Sequence, residues 1–121
     1  MSRLNNYLRT HRRLRRLSQE ELAYLFGYLD PSMVGRLERD ERVITLAVAH
    51  TCHFVFGVPA EEMFPAFFAG VEINLYHRLT ELRDRLMRNL PTQPVAAKLE
   101  LVHEAIRKLA AAKQRRHDES N

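Results

Sequence analysis

The stretch Leu17-Ser18-Gln19-Glu20-Glu21-Leu22-Ala23 decides how the chain is read. Ser18 followed three residues later by Glu21 is a capping box: the hydroxyl accepts the Glu21 backbone N–H and the carboxylate reaches back to the Ser18 N–H. A helix therefore begins there, with Leu22, Ala23, Leu25 and Phe26 as its apolar face. Gly27 can take the left-handed conformation that ends it.

Working outward, Leu4, Leu8, His11 and Leu14 recur at helical spacing and predict a first helix whose core stripe they form. Downstream, Asp30-Pro31 is a second start signal, an N-cap followed by a proline at the first helical position. It opens a third helix to about Arg39, with Val34 and Leu37 inward and Ser32, Met33, Arg36 and Arg39 outward. Thr45 caps a fourth helix to Phe56, ended by Gly57-Val58-Pro59. Leu46, Ala47, Val48, Ala49, Cys52, Phe54, Val55 and Phe56 make it apolar nearly all round, which predicts burial on every side. Glu61 to Phe68 predicts a short, phenylalanine-rich fifth helix.

The last fifty residues read as a helical hairpin. Leu75, Leu79, Leu82 and Leu86 form one seam; Val95, Leu99, Val102, Ile106 and Leu109 form another. Pro91-Thr92-Gln93-Pro94 separates them, and so short a connection makes them antiparallel. The tail from Lys113 is charged and predicted to fray.

The 121 residues are 45% hydrophobic and 28% charged, a globular composition able to bury a core without metals or disulfides. A single cysteine, Cys52, excludes an intramolecular disulfide framework and fits a reducing, cytoplasmic setting. No apolar run is long enough to cross a membrane, and no apolar stretch follows the start, so a secretory signal is not expected. Four glycines without a glycine-rich loop argue against a phosphate-cradling nucleotide site.

The net charge of +4 is unevenly spread. Met1 to Arg16 holds six arginines and no acid; Leu17 to Pro65 holds eight acids against three arginines. That pattern suits either a solvated helix face or one edge of a polyanion-binding surface. Arginine is the commonest bidentate reader of guanine O6 and N7, and Arg36 lies about a turn and a half beyond its N-cap. Arg39 and Arg42 are better disposed toward phosphates. Arg3, Arg9, Arg13, Arg15 and Arg16 would add long-range attraction, with Arg13 a further phosphate candidate.

Two short helices joined by a tight turn within a helical bundle are a helix-turn-helix. Leu17 to Ala23, then Gly27, Val34-Gly35-Arg36-Leu37-Glu38-Arg39, Phe56-Gly57-Val58-Pro59 and Glu62-Met63-Phe64 together resemble the Cro/lambda-repressor-like (XRE) family of bacterial and phage DNA-binding proteins. The resemblance covers about residues 4–68. Gly27 to Glu38 is one residue longer than the commonest pattern, leaving Tyr28-Leu29 in an extended turn. Arg16 stands where a helix-ending glycine is usual, and Gly35 where a serine or a longer polar residue is common.

The resemblance implies a five-helix lambda-repressor-like helix-turn-helix domain over residues 1–68; outside it, the leucine seams predict a two-helix hairpin over 69–121 that is expected to dimerise, so the whole chain is expected to be all-α. The resemblance further implies that Gln19 contacts a DNA phosphate. It also implies that Pro31, Ser32 and Arg36 face base edges, with Met33 adding an apolar contact, and that Arg12 pairs with Glu38. The expected function is sequence-specific binding of double-stranded DNA as a homodimer on a pseudo-palindromic operator, most simply as a repressor. Leu75, Leu79, Leu82, Leu86, Val95, Leu99, Val102 and Ile106 are the expected dimer seam, the alternative being that the hairpin caps its own domain. A protein-binding or antitoxin-type use of the same fold is the competing reading.

Enzymatic and metal-binding readings find little support. Glu20-Glu21 and Glu61-Glu62 are first-turn acids suited to a helix dipole, and no nucleophile, base and orienting group come together. In His50-Thr51-Cys52-His53, neighbouring helical residues point about 100° apart, so Cys52 and His53 do not converge on one ion. No cofactor is expected.

Overall fold

A computed structural model describes residues 5–88 and 93–120, and every regular element among them is helical. The helices are α1 Leu8–Leu14, α2 Gln19–Phe26, α3 Ser32–Glu38, α4 Leu46–Phe56, α5 Ala60–Met63, α6 Pro65–Arg88 and α7 Gln93–Ser120. No helix among the described residues is long and apolar enough to cross a membrane.

Local chemistry sets most of the ends. At α2 both arms of the capping box form: Glu21 N donates to Ser18 Oγ at 3.0 Å and Ser18 N to Glu21 Oε1 at 2.9 Å. These bonds hold the Glu21 carboxyl below its ordinary value. Gly27 closes α2 at φ 81°, and Gly57 closes α4 at φ 69°. Thr45 Oγ1 accepts the Val48 N–H at the start of α4. At α3 the helix proper begins at Ser32, one residue later than expected. Asp30 accepts both the backbone N–H and the hydroxyl of Ser32, at 3.0 and 2.7 Å.

Leu8, Leu22, Ala23, Val34, Leu37, Val48, Cys52, Phe56, Met63 and Phe64 form one buried cluster. Tyr7, Leu17, Phe26, Tyr28, Ile44, Val58 and Phe68 pack around it. Three expectations need correction here.

On α1, Leu8 is buried, but Leu14 is 68% exposed and His11 is half-buried against the Phe56 ring. Leu4 lies outside the described residues. The inward residue after Leu8 is Arg12. A residue two positions further on points about 200° away, so turning Arg12 inward turns Leu14 out. On α2, Leu25 is likewise exposed.

On α4, only Val48, Cys52 and Phe56 are buried, at intervals of four. Val48 thus faces the core. Leu46 and Phe54 are 91% and 77% exposed. The helix is uncovered on one side, contrary to its uniformly apolar sequence.

The expected fifth helix, 61–68, is broken. α5 stops at Met63, Phe64 adopts φ −126°, ψ 59°, and Pro65 opens α6. Proline disfavours helical backbone in the residue before it and favours the first position of a new helix.

The chain divides into two compact units, one ending at Ala69 and one beginning at Gly70. The expected boundary at 68/69 and this division both fall inside α6. In the second unit, Glu72 near the start of α6 pairs with Arg116 near the end of α7, so the two helices run antiparallel. Leu79, Leu86, Val95, Leu99, Ile106 and Leu109 are half-buried, Val102 is buried, and Leu75 and Leu82 stay exposed. The tail does not fray at Lys113: α7 continues to Ser120, with Gln114 donating to Asp118 one turn on. Pro91 and Thr92 of the expected break lie outside the described residues; α7 opens at Gln93-Pro94.

Candidate nucleic-acid interface

The floor of the candidate site is the crossing of α2 and α3. Gly35 is buried there, and a Cβ at that position would lie 3.0 Å from Arg39 Nη1 and 3.4 Å from Gln19 Nε2. Only the flexible ends of these two side chains would have to shift for a larger residue, while glycine itself weakens the middle of α3 by about 1 kcal/mol relative to alanine.

Behind α3 lies an ion pair. Arg12 Nε donates to Glu38 Oε2 at 2.7 Å, with only 10% and 3% of the two side chains exposed. Arg12 Nη1 donates to the Leu17 carbonyl at 2.9 Å, and Gln19 Nε2 to Glu38 Oε1 at 3.0 Å. One carboxylate thus ties α1, the start of α2 and the end of α3 together. Gln19, the expected phosphate contact, is half-buried and spends one amide hydrogen on Glu38, leaving a second.

The outward side of α3 presents Ser32 and Arg36 exposed and Met33 half-buried. Pro31 is exposed just before the helix. Ser32 already donates its hydroxyl hydrogen to Asp30, whose carboxyl this bond holds below its ordinary value. Among the described residues no hydrogen bond or ion pair engages the Arg36 guanidinium; its charge acts at longer range on Asp30 and Glu41.

The expected phosphate residues differ in their engagement. Arg39 makes a two-point contact with Glu41, both bonds at 3.1 Å, which raises the arginine and lowers the carboxyl from their ordinary values. Arg42 is exposed with its guanidinium 5.5 Å from the Tyr28 ring centre. Arg9, Arg13 and Arg16 are exposed; Arg3 lies outside the described residues. Arg15 turns back instead, donating to the Phe56 carbonyl at 3.2 Å over that residue's ring.

Asn6 was missing from the sequence-based site. Its amide donates to the Leu37 carbonyl at 3.1 Å and to Asp40 Oδ1 at 2.8 Å, while its oxygen accepts the Leu8 N–H. The last bond is a local start signal legible in the sequence; the others span more than thirty residues and are not. Cys52 is buried, which pushes its thiol up to about 12. His50 and His53 are exposed around the Phe54 ring, at centroid distances of 4.9 and 6.1 Å.

Comparison with family models, with curated proteins and with solved structures finds no match to the chain.

Proposed function

We propose that the chain is a sequence-specific double-stranded DNA-binding regulator of the lambda-repressor-like kind, with α2 and α3 as its helix-turn-helix and α3 as the recognition helix. The observation that carries the reading is the contrast between the two sides of α3. Its inner side is fixed by Val34, Leu37 and the carboxylate of Glu38, while its outer side presents an exposed Arg36 that makes no hydrogen bond or ion pair among the described residues. A guanidinium held on a rigid helix suits two-point contact with guanine in the major groove. Ser32 and Met33 flank it, and Gln19, Arg39, Arg42 and Arg13 are the phosphate contacts that would set register.

The regulator acts as a homodimer through the α6–α7 hairpin. Leu75 and Leu82 remain exposed within one copy, and a second hairpin would cover them. Two recognition helices would then meet half-sites about 34–36 Å apart. Occupation of a promoter makes repression the simplest outcome.

A second reading is a protein-binding module. It is favoured by exposed Tyr24, Leu25 and Leu29 on α2 and the following turn. Selection from a randomised duplex library, followed by binding at rising salt, separates the two. A DNA regulator enriches a sequence and loses affinity steeply as salt rises; a protein-binding module does neither.

A further inference from the structure

We propose that Gln19, Gly35 and Arg39 form one cradle for a single DNA phosphate, and that Glu41 is its positioning residue. The inference rests on the double-stranded DNA reading above and says how that surface grips the backbone. Arg39 donates through Nε and Nη2 to the two oxygens of Glu41, both at 3.1 Å. Its remaining nitrogen, Nη1, is turned back over Gly35, 3.0 Å from where a Cβ would stand. Gln19 Nε2 reaches the same point from α2, at 3.4 Å, with one hydrogen given to Glu38 and one left over. Two N–H donors from different helices therefore converge above a residue that has no side chain. Spare donors that converge beside the exposed Arg36 and Arg42 suit an oxyanion, and on duplex DNA the oxyanion is a phosphate.

The fold fixes Glu41 for this task. Asp40 takes the left-handed conformation at φ 59°, and behind it Glu41 N donates to the Arg36 carbonyl at 2.8 Å. This is a Schellman ending, and it folds residue 41 back beside residue 39. Asn6 secures the turn through Asp40 Oδ1. A carboxylate on a DNA-facing surface repels phosphate by charge alone. Here it also holds a long, otherwise rotating guanidinium with its free edge toward Gln19 before DNA arrives, which lowers the ordering cost of the contact. A Cβ at Gly35 would displace that edge.

The test measures the affinity of the full chain for the selected duplex and for random duplex across a salt series. Glu41→Ala should weaken both by about fivefold, the scale of one hydrogen-bonded contact. It should also make the log–log salt dependence shallower by about one. Charge alone predicts the opposite, tighter binding. In an Arg39→Ala background only that charge remains, so Glu41→Ala should there strengthen binding by about twofold. Gly35→Ala should weaken both duplexes while melting no lower than the parent, since alanine favours the helix. Tighter or unchanged binding by Glu41→Ala in the parent background overturns the proposal, as does a loss confined to the selected duplex. So does a Gly35→Ala chain that binds like the parent, or one that loses binding and melting temperature together. A parent chain that binds no duplex overturns the regulatory reading and the cradle with it. A parent chain that binds while its variants break these expectations overturns the cradle alone.

Discussion

Arg12 and Glu38 meet across α1 and α3 at 2.7 Å with both side chains almost wholly removed from water. Removing one member of so buried a pair strands the other. Glu38→Ala should cost about 3 kcal/mol, because it unpairs Arg12 and frees Gln19 together. A thermal melt should fall by roughly ten degrees or more for a domain of this size. A melt matching the parent would show that the pair contributes nothing.

Reading and docking separate by substitution. Arg36→Ala should lose about 1–3 kcal/mol on the selected duplex and little on random DNA. Gln19→Ala should weaken both, since a phosphate carries no sequence information. Equal losses on both duplexes for Arg36→Ala would remove it from the base readers.

Arg16 sits at φ 58°, a left-handed position that costs a side chain about 1 kcal/mol and glycine nothing. Arg16→Gly should raise the melting temperature by a few degrees. An unchanged or lower melt would mean that the looser unfolded chain cancels the relief of strain.

The Cys52 thiol ordinarily ionises at 9.0, and burial raises it to about 12. The folded state keeps its proton where the unfolded chain gives it up. The stability this thiol contributes is therefore complete below pH 9 and falls as pH rises from 9 toward 12. Equilibrium unfolding at pH 8 and pH 10.5 should show the decline, and a Cys52→Ser background should lose that component. Thiol reagents should modify Cys52 at pH 8 only as fast as the domain opens.

Ending the chain after Phe68 removes nearly all of α6 and the whole of α7. The remaining buried cluster is complete, so the helices up to α5 should persist by circular dichroism. Sedimentation should show a monomer with much weaker binding to the selected duplex. The full chain, by contrast, should sediment as a dimer at micromolar concentration. A 14.2 kDa species for the full chain would refute the preformed dimer.

The elements were legible where their causes are local. Ser18 with Glu21, Gly27, Thr45 and Gly57 each act within a few residues, and each stands at a helix end. The side that a short helix buries was less legible. Seven residues of α1 offer too few apolar positions to overrule an arginine drawn in by a carboxylate 26 residues away. The even apolarity of α4 fixes no face at all, so its sequence could not announce which side the core would take. The interruption at Phe64 was written in Pro65, but the surrounding aromatics masked it. In the candidate site, the outward setting of Ser32 and Arg36 follows from their offset to Val34 and Leu37. The inward turn of Arg15 depends on a carbonyl 41 residues away, which periodicity does not report.

Asn6 has a consequence for how the domain breathes. Its side chain receives the first turn of α1 through Leu8 N and holds the last turn of α3 through Leu37 and Asp40. Neither helix end can loosen without stranding that amide in a buried setting, so the two ends open in one step. In amide hydrogen exchange, the first turn of α1 and the residues after α3 form a single protected unit, though some thirty residues of chain lie between them.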